Sequence, residues 1–210
     1  MTYSQYEEDE ILLDVFLGVR EGSYVDVGAG HPVTDSVTYL LYERGWHGIC
    51  IEPQSGLWKA LKKIRPRDLS LNIAASDYAG EARLTSYPGS WGWATISDTT
   101  VGLHGDVPTV VDKVATYTLD YILDTYWKSG VIHVMSIDVE GSELAVLRGL
   151  DLKKYRPQMI VIESVRPGTF DPCHHEWEYL LTSNGYLFKE ATPVNRFYVD
   201  SRVLVGVDNG

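Results

Sequence analysis

The sequence predicts an α/β fold, a doubly wound, mostly parallel sheet with helices on both faces and an antiparallel hairpin at the edge. Three observations predict it. Short apolar strands alternate with stretches of helical spacing over most of the 210 residues. The first strand runs into a glycine turn, YVDVGAG at residues 24–30, and about twenty residues later a second strand ends in Glu52. The last two apolar runs, 186–189 and 197–204, have no helix between them and predict the hairpin.

Taken in order, residues 5–19 have helical spacing, 24–27 form the first strand, 35–44 a helix, 48–51 the second strand and 69–73 the third. The alternation resumes with a strand over 131–137, a helix over 142–148 closed by Gly149, and a strand over 159–162. A helix over 174–183 follows, closed by Asn184-Gly185, before the hairpin. Residues 87–106 hold four glycines and two tryptophans without a clean period, which predicts a long loop. Such a loop suits a lid over an acceptor, with Trp91 and Trp93 stacking on it; the plainer alternative packs both indoles on the sheet edge. The length supports one substantial core, so residues 1–210 are expected to form a single domain.

Composition narrows the partners. Eighteen Lys and Arg against 29 Asp and Glu give a net charge of −11 and no basic run, which argues against nucleic acid. The acidic opening MTYSQYEEDE does not resemble a secretory signal, and no apolar stretch approaches the roughly 20 residues of a membrane span. A cytoplasmic protein without a membrane span is expected, and an oligomer is compatible with everything above. Two cysteines do not make a disulfide framework; both read as free thiols, Cys50 in a core strand and Cys173 in a polar loop.

The glycine turn points to a nucleotide-bearing ligand, and what it lacks narrows the choice. Glycine lets backbone approach a ligand closely, and an acid at the tip of the next strand can hold two ribose hydroxyls. A dinucleotide site needs a third glycine, but Gly28 and Gly30 are followed by His31, Pro32 and Val33. A short turn with Asp26 beside it suits a cationic, phosphate-free ligand, and S-adenosylmethionine carries a sulfonium and an ammonium. A nicotinamide-dependent dehydrogenase loses support for the same reason, and no tyrosine is followed four residues later by lysine.

In a doubly wound sheet ligands collect at the carboxyl ends of the strands. Those ends are acidic here: Asp26, Glu52, Asp77 soon after the third strand, Asp138 with Glu140, and Glu163. Asp171 and Pro172 start the next helix and bring His174 to the same edge. Asp138, Glu163 and His174 then form a set of hard oxygen donors plus one imidazole. Such a set could hold Mg²⁺ or Mn²⁺ and bind an acceptor hydroxyl, or His174 could act alone as a general base oriented by a carboxylate. Glu140, next to the start of a helix, reads as a helix-capping acid.

Several segments together resemble the FkbM family of S-adenosylmethionine-dependent methyltransferases. They are YSQYEED at 3–9, the run 24–53, SIDVEGSELAVLRGLDL at 136–152, Arg156-Pro157 followed by IVIE, the histidine run at 174–177, and NRFYV at 195–199. The resemblance implies a seven-stranded class I methyltransferase fold, Rossmann-like, with the final strand antiparallel. It places Asp26, Gly28 and Gly30 at the methionine part of the cofactor, Glu52 at the ribose and Asp77 at the adenine, with Gln5 and Asp9 approaching from the N-terminal helix. It implies O-methylation of a saccharide hydroxyl, on a nucleotide-linked, lipid-linked or polymeric glycan in polysaccharide biosynthesis, with a macrolide or other natural-product alcohol as the alternative. Asn195 and Arg196 would shape the acceptor side. The chain departs from the commoner pattern at Gly30 and at Ser136, which leaves the acceptor open. A non-catalytic subunit would have no need for Asp138, Glu163 and His174 together.

Overall fold

The computed structural model describes residues 1–101, 105, 107–128 and 130–205, without the side chains of 91, 204 and 205. Four strands form the centre of a sheet: β1 (Ser23–Val27), β2 (His47–Ile51), β8 (Val134–Ile137) and β9 (Met159–Glu163). They pair in parallel, and their near-continuous burial is what a strand covered on both faces needs. Strand β3 (Leu69–Leu71) closes one side of a seven-stranded sheet, and β10 (Tyr186–Ala191) and β11 (Asn195–Asp200) close the other. The order is β10-β11-β9-β8-β1-β2-β3. The terminal hairpin lies at the sheet edge as expected: β11 runs antiparallel between β9 and β10, and β10 is the outer strand.

Side chains alternate between two cores. Val25, Val27 and Ile137 face one, under α4 (Leu119–Tyr126), α5 (Glu143–Arg148) and α6 (Glu178–Thr182). Tyr24, Cys50 and Val134 face the other, under α1 (Glu8–Val15), α2 (Tyr39–Glu43) and α3 (Ser55–Ile64). A last helix, α7 (Ser201–Val205), follows β11. Helices α3 and α4 lie where sequence reading placed no element, although each shows an amphipathic spacing.

Several elements differ from expectation for local reasons. Helix α1 starts at Glu8 because Glu7 takes a left-handed φ of 66°, and Thr2, Tyr3 and Ser4 wrap back to donate to the Asp9 carboxylate. Helix α2 starts at Tyr39 because Asp35 is left-handed and Thr38 is tied to Asp26. Strand β3 stops at Leu71 because the Asn72 amide turns to donate to the carbonyls of Glu52 and Pro53. The helix expected over 174–183 divides into a 3₁₀ turn, His174–Glu176, and α6, separated by Trp177, whose indole is fully buried. Cys173 is buried rather than in a solvated loop.

The largest difference concerns residues 87–106. The chain forms a second, four-stranded sheet of order β4-β7-β5-β6, from β4 (Ala74–Ala75), β5 (Gly80–Tyr87), β6 (Ser90–Thr95) and β7 (Val110–Tyr117). The expected loop therefore begins as an antiparallel hairpin turning at Pro88 and Gly89; residues 102–104 and 106 lie outside the described residues. No described helix is long and apolar enough to cross a membrane.

Candidate active site

Strand order reverses between β1 and β8, so the carboxyl ends of these strands splay apart and leave a cleft. A cleft partly open to solvent lies there. Its lining follows the sheet edge. Ala74 and Ala75 come after β3, Glu52 ends β2, Gly28 to Gly30 follow β1, and Asp138 to Glu140 follow β8. Leu84, Gly92, Ala94 and Ile96 close it from the second sheet, and Gln5 reaches it from the N-terminal segment.

The glycine turn is fixed by contact rather than by flexibility. The amides of Gly28 and Ala29 both donate to the Ile51 carbonyl, at 2.9 and 3.0 Å. A Cβ on Gly28 would stand 1.7 Å from the Asp138 carbonyl oxygen, and φ is +79°. Only glycine lets the ends of β1 and β8 meet here.

Glu52 is buried, and each of its oxygens accepts a backbone N–H, from Gly30 at 2.8 Å and from Gln54 at 2.7 Å. Each oxygen keeps a lone pair for a ligand hydroxyl. Burial pushes its carboxyl up to about 7, against the two amides that favour the charge.

Asp26 stands elsewhere. It is buried in the middle of the sheet face, where Thr38 donates to it and the Arg65 guanidinium lies 3.9 Å away. Arg65 is itself fully buried, 2.9 Å from Asp68, and donates to Tyr24, Ser36 and Thr38. Burial raises the Asp26 carboxyl, while Arg65 and Thr38 lower it. This network pins the 28–38 segment that carries the glycine turn. Asp9 is likewise buried and consumed by the N-terminal wrap, and Asp77 is exposed; neither lines the cleft.

On the other side, Asp138, Glu140 and Glu163 bring carboxylate oxygens within 4.8 Å of one another. Asp138 is open to the cleft, yet the protein crowded around it strips enough water, with Glu143 and Asp26 adding repulsion, to hold its carboxyl near 7. Burial, then Asp138 and Glu143, lift Glu140 to about 9. Glu163 is raised well above its ordinary range by burial and by Asp138, and its Oε2 is buried without a hydrogen-bond partner. The helix-capping role expected of Glu140 belongs to Glu143, which accepts from the Val139 and Gly141 amides at 3.2 Å. A left-handed φ of 52° turns Glu140 back toward the cleft. The signal that could have separated the two acids was Gly141, which permits the reversal between them.

His174 is not in this cluster. It sits half-buried in the 3₁₀ turn, and burial, then the Arg196 charge, lower its pKa and favour the neutral imidazole. Arg196 itself lies over Phe188 and donates to Glu178 and Tyr198. Asn195 is buried opposite Glu163 in the ladder and donates to Glu8, which ties α1 to β11. Trp93 is half-buried on β6, its ring edge-on to Tyr87 at 6.0 Å; the Trp91 side chain lies outside the described residues.

A model of the methyltransferase FkbM domain matches residues 26–188. Among solved structures, the chain is similar to the crystal structure of a TehB-like SAM-dependent methyltransferase from Corynebacterium glutamicum ATCC 13032 Kitasato. That likeness has 11% identity and a TM-score of 0.49, over 93% of this chain and 88% of the other. No curated protein sequence matches.

Proposed function

The chain belongs to the FkbM methyltransferase family, and from that premise we propose that it transfers a methyl group from S-adenosylmethionine to a hydroxyl of a saccharide. The observation that carries this reading is the order of groups along the cleft. Apolar Ala74, Ala75, Leu84 and Ile96 offer a slot for a purine, Glu52 two acceptor oxygens for a ribose, and the Gly28 turn a close backbone wall. Asp138 and Glu140 place carboxyl groups at the rim, and a bound sulfonium and ammonium would draw both toward the ionised form. No lysine or arginine interrupts that order among the described lining residues.

When bound, the donor supplies an electrophilic methyl carbon and leaves as a neutral thioether. The protein's task is to hold an acceptor oxygen in line and to take its proton as the carbon–oxygen bond forms. Asp138 opens onto the cleft and is the proposed proton acceptor, with Glu163 behind it. His174 is proposed to meet the acceptor from the β11 side as a neutral imidazole, together with Arg196, while Gly92 and Ala94 of β6 wall the acceptor space; Trp93, one residue out of phase with them, faces Tyr87 and is not part of that wall. The whole chain is proposed to act as one domain.

Calorimetry with S-adenosylmethionine and S-adenosylhomocysteine, followed by an acceptor screen with labelled methyl donor, tests the reading. Saccharide acceptors should be labelled in preference to macrolide alcohols. Asp138→Asn should lower kcat/KM at least 100-fold and His174→Ala by less than tenfold. Equal losses would move the base to the histidine, and no heat with either cofactor would end the reading.

A further inference from the structure

Three carboxylates gathered at one strand edge repel one another unless a cation sits among them or protons are shared, as between Asp138 and Glu163. None of Asp138, Glu140 and Glu163 makes an ion pair with a described lysine, arginine or histidine. Glu143 adds a fourth acid close by, already occupied by two backbone amides. Arg65 is spent on Asp26 and Asp68 on the opposite face, and Arg166 and Arg196 pair with Glu176 and Glu178.

A separate observation points into the same space. Glu163 is 9% exposed, and its Oε2 finds no donor in the protein. A buried, unpaired carboxylate oxygen is costly, because the group has left water without a replacement partner. The backbone is also committed to this arrangement. Glu140 holds its left-handed conformation, and its carbonyl accepts from the Thr95 hydroxyl on β6 at 2.8 Å. The second sheet thus holds the residue that completes the trio.

We propose that Asp138, Glu140 and Glu163 form a binding site for one divalent cation, Mg²⁺ or Mn²⁺, which would hold the acceptor hydroxyl beside the methyl donor. The second half of this statement rests on the methyl-transfer reading above; the binding site does not. Ligands around such an ion stand roughly 3 to 4 Å apart at metal–oxygen distances of about 2.1 Å. Oxygens already within 4.8 Å reach that spacing by small side-chain rotations. Three carboxylates without thiolate or imidazole select a hard, oxygen-seeking ion over Zn²⁺. Asp138 and Glu140 line the cleft while Glu163 lies behind them, so the remaining coordination positions face the space between donor and acceptor. There a cation would acidify a bound hydroxyl and orient its oxygen, and the proton would pass to the Asp138 oxygen the cation leaves free.

The competing account relieves the cluster with protons, one of them shared between Asp138 and Glu163, and with the donor's own positive charge. Titration of the full chain with MnCl₂, followed by electron paramagnetic resonance in the absence of any nucleoside, separates the two. One Mn²⁺ per chain should bind saturably and be displaced by Mg²⁺. Glu140→Gln and Glu163→Gln should each weaken Mn²⁺ at least tenfold, whereas Glu81→Gln on the exposed second sheet should leave it unchanged. Circular dichroism of each variant checks that it has folded. Absence of saturable binding at millimolar Mn²⁺, or binding that survives both substitutions, would overturn the site. Calorimetry with S-adenosylhomocysteine on the same material keeps the readings apart: heat without Mn²⁺ binding defeats the cation site alone, and Mn²⁺ binding without that heat defeats methyl transfer alone.

Discussion

Glu52 is the residue at which the local physics and the proposed chemistry meet most directly. Its two oxygens accept backbone amides, which favours the carboxylate, yet burial raises its pKa to about 7. Ionising it in the folded chain costs on the order of 3 kcal/mol relative to the unfolded one. The sign follows from the raised value: between its ordinary value of 4.5 and about 7 the folded state binds more protons than the unfolded state. Stability contributed by Glu52 is therefore full below pH 4.5 and declines as the pH rises to about 7, where it levels off. Ribose hydroxyls donate best to the ionised form, so S-adenosylhomocysteine affinity should rise from pH 6 to pH 8 and its binding at pH 6 should release a proton. Calorimetry in buffers of different ionisation enthalpy measures both effects. Glu52→Gln should bind more weakly and flatten the profile; an unchanged slope would remove Glu52 from the ribose. The residue was legible because a strand tip twenty residues beyond a glycine turn has few other places to go. Asp26, twenty-six residues earlier at the end of β1, was not legible in the same way. Whether a strand-end carboxylate faces a ligand or a buried cation depends on Arg65, thirty-nine positions later, and no local pattern records that meeting.

Element by element, the strands with continuous apolar burial were the most readable, because a parallel sheet covered on both faces leaves them no alternative. Elements set by long-range ties were not. Helix α2 loses its first turn to the tie between Thr38 and Asp26, and the expected loop begins as β6 because its backbone finds β5. The 28–38 segment has little regular structure of its own and depends on Arg65, which bridges Asp26, Asp68, Ser36, Thr38 and Tyr24. Removing one member of a buried charge network leaves the others unpaired and costs about 3–5 kcal/mol. Arg65→Met should therefore lower unfolding free energy by that amount in urea titrations, and weaken S-adenosylhomocysteine binding beyond what stability alone explains, because the glycine turn loses its anchor. A loss below about 1 kcal/mol would mean that the network contributes shape without strength. Arg65 escaped sequence reading because a helix-terminal arginine is ordinarily a solvated one.

Across the whole molecule, charge is the property that links fold to ligand preference. The formal −11 includes Asp138 and Glu140 at the cleft rim and Glu163 behind them, acids whose raised pKa values a bound cation would bring back down. S-adenosylmethionine carries one net positive charge near neutral pH, whereas S-adenosylhomocysteine carries none, so the field of the protein acts on the donor and is indifferent to the product. That asymmetry would favour product exchange after each transfer, since the departing thioether no longer interacts with the acids. The field is carried partly through open solvent, where the screening length falls from about 30 Å at 0.01 M to about 8 Å at 0.15 M salt. In chelator, raising NaCl from 10 to 300 mM should weaken S-adenosylmethionine several-fold by calorimetry while leaving S-adenosylhomocysteine within twofold. Added Mg²⁺ should shrink the difference between the two ligands, because an ion held by Asp138, Glu140 and Glu163 neutralises the same acids. Parallel salt slopes for the two cofactors would show that the sulfonium is recognised by contact alone, and that the acid rim answers to some other charge.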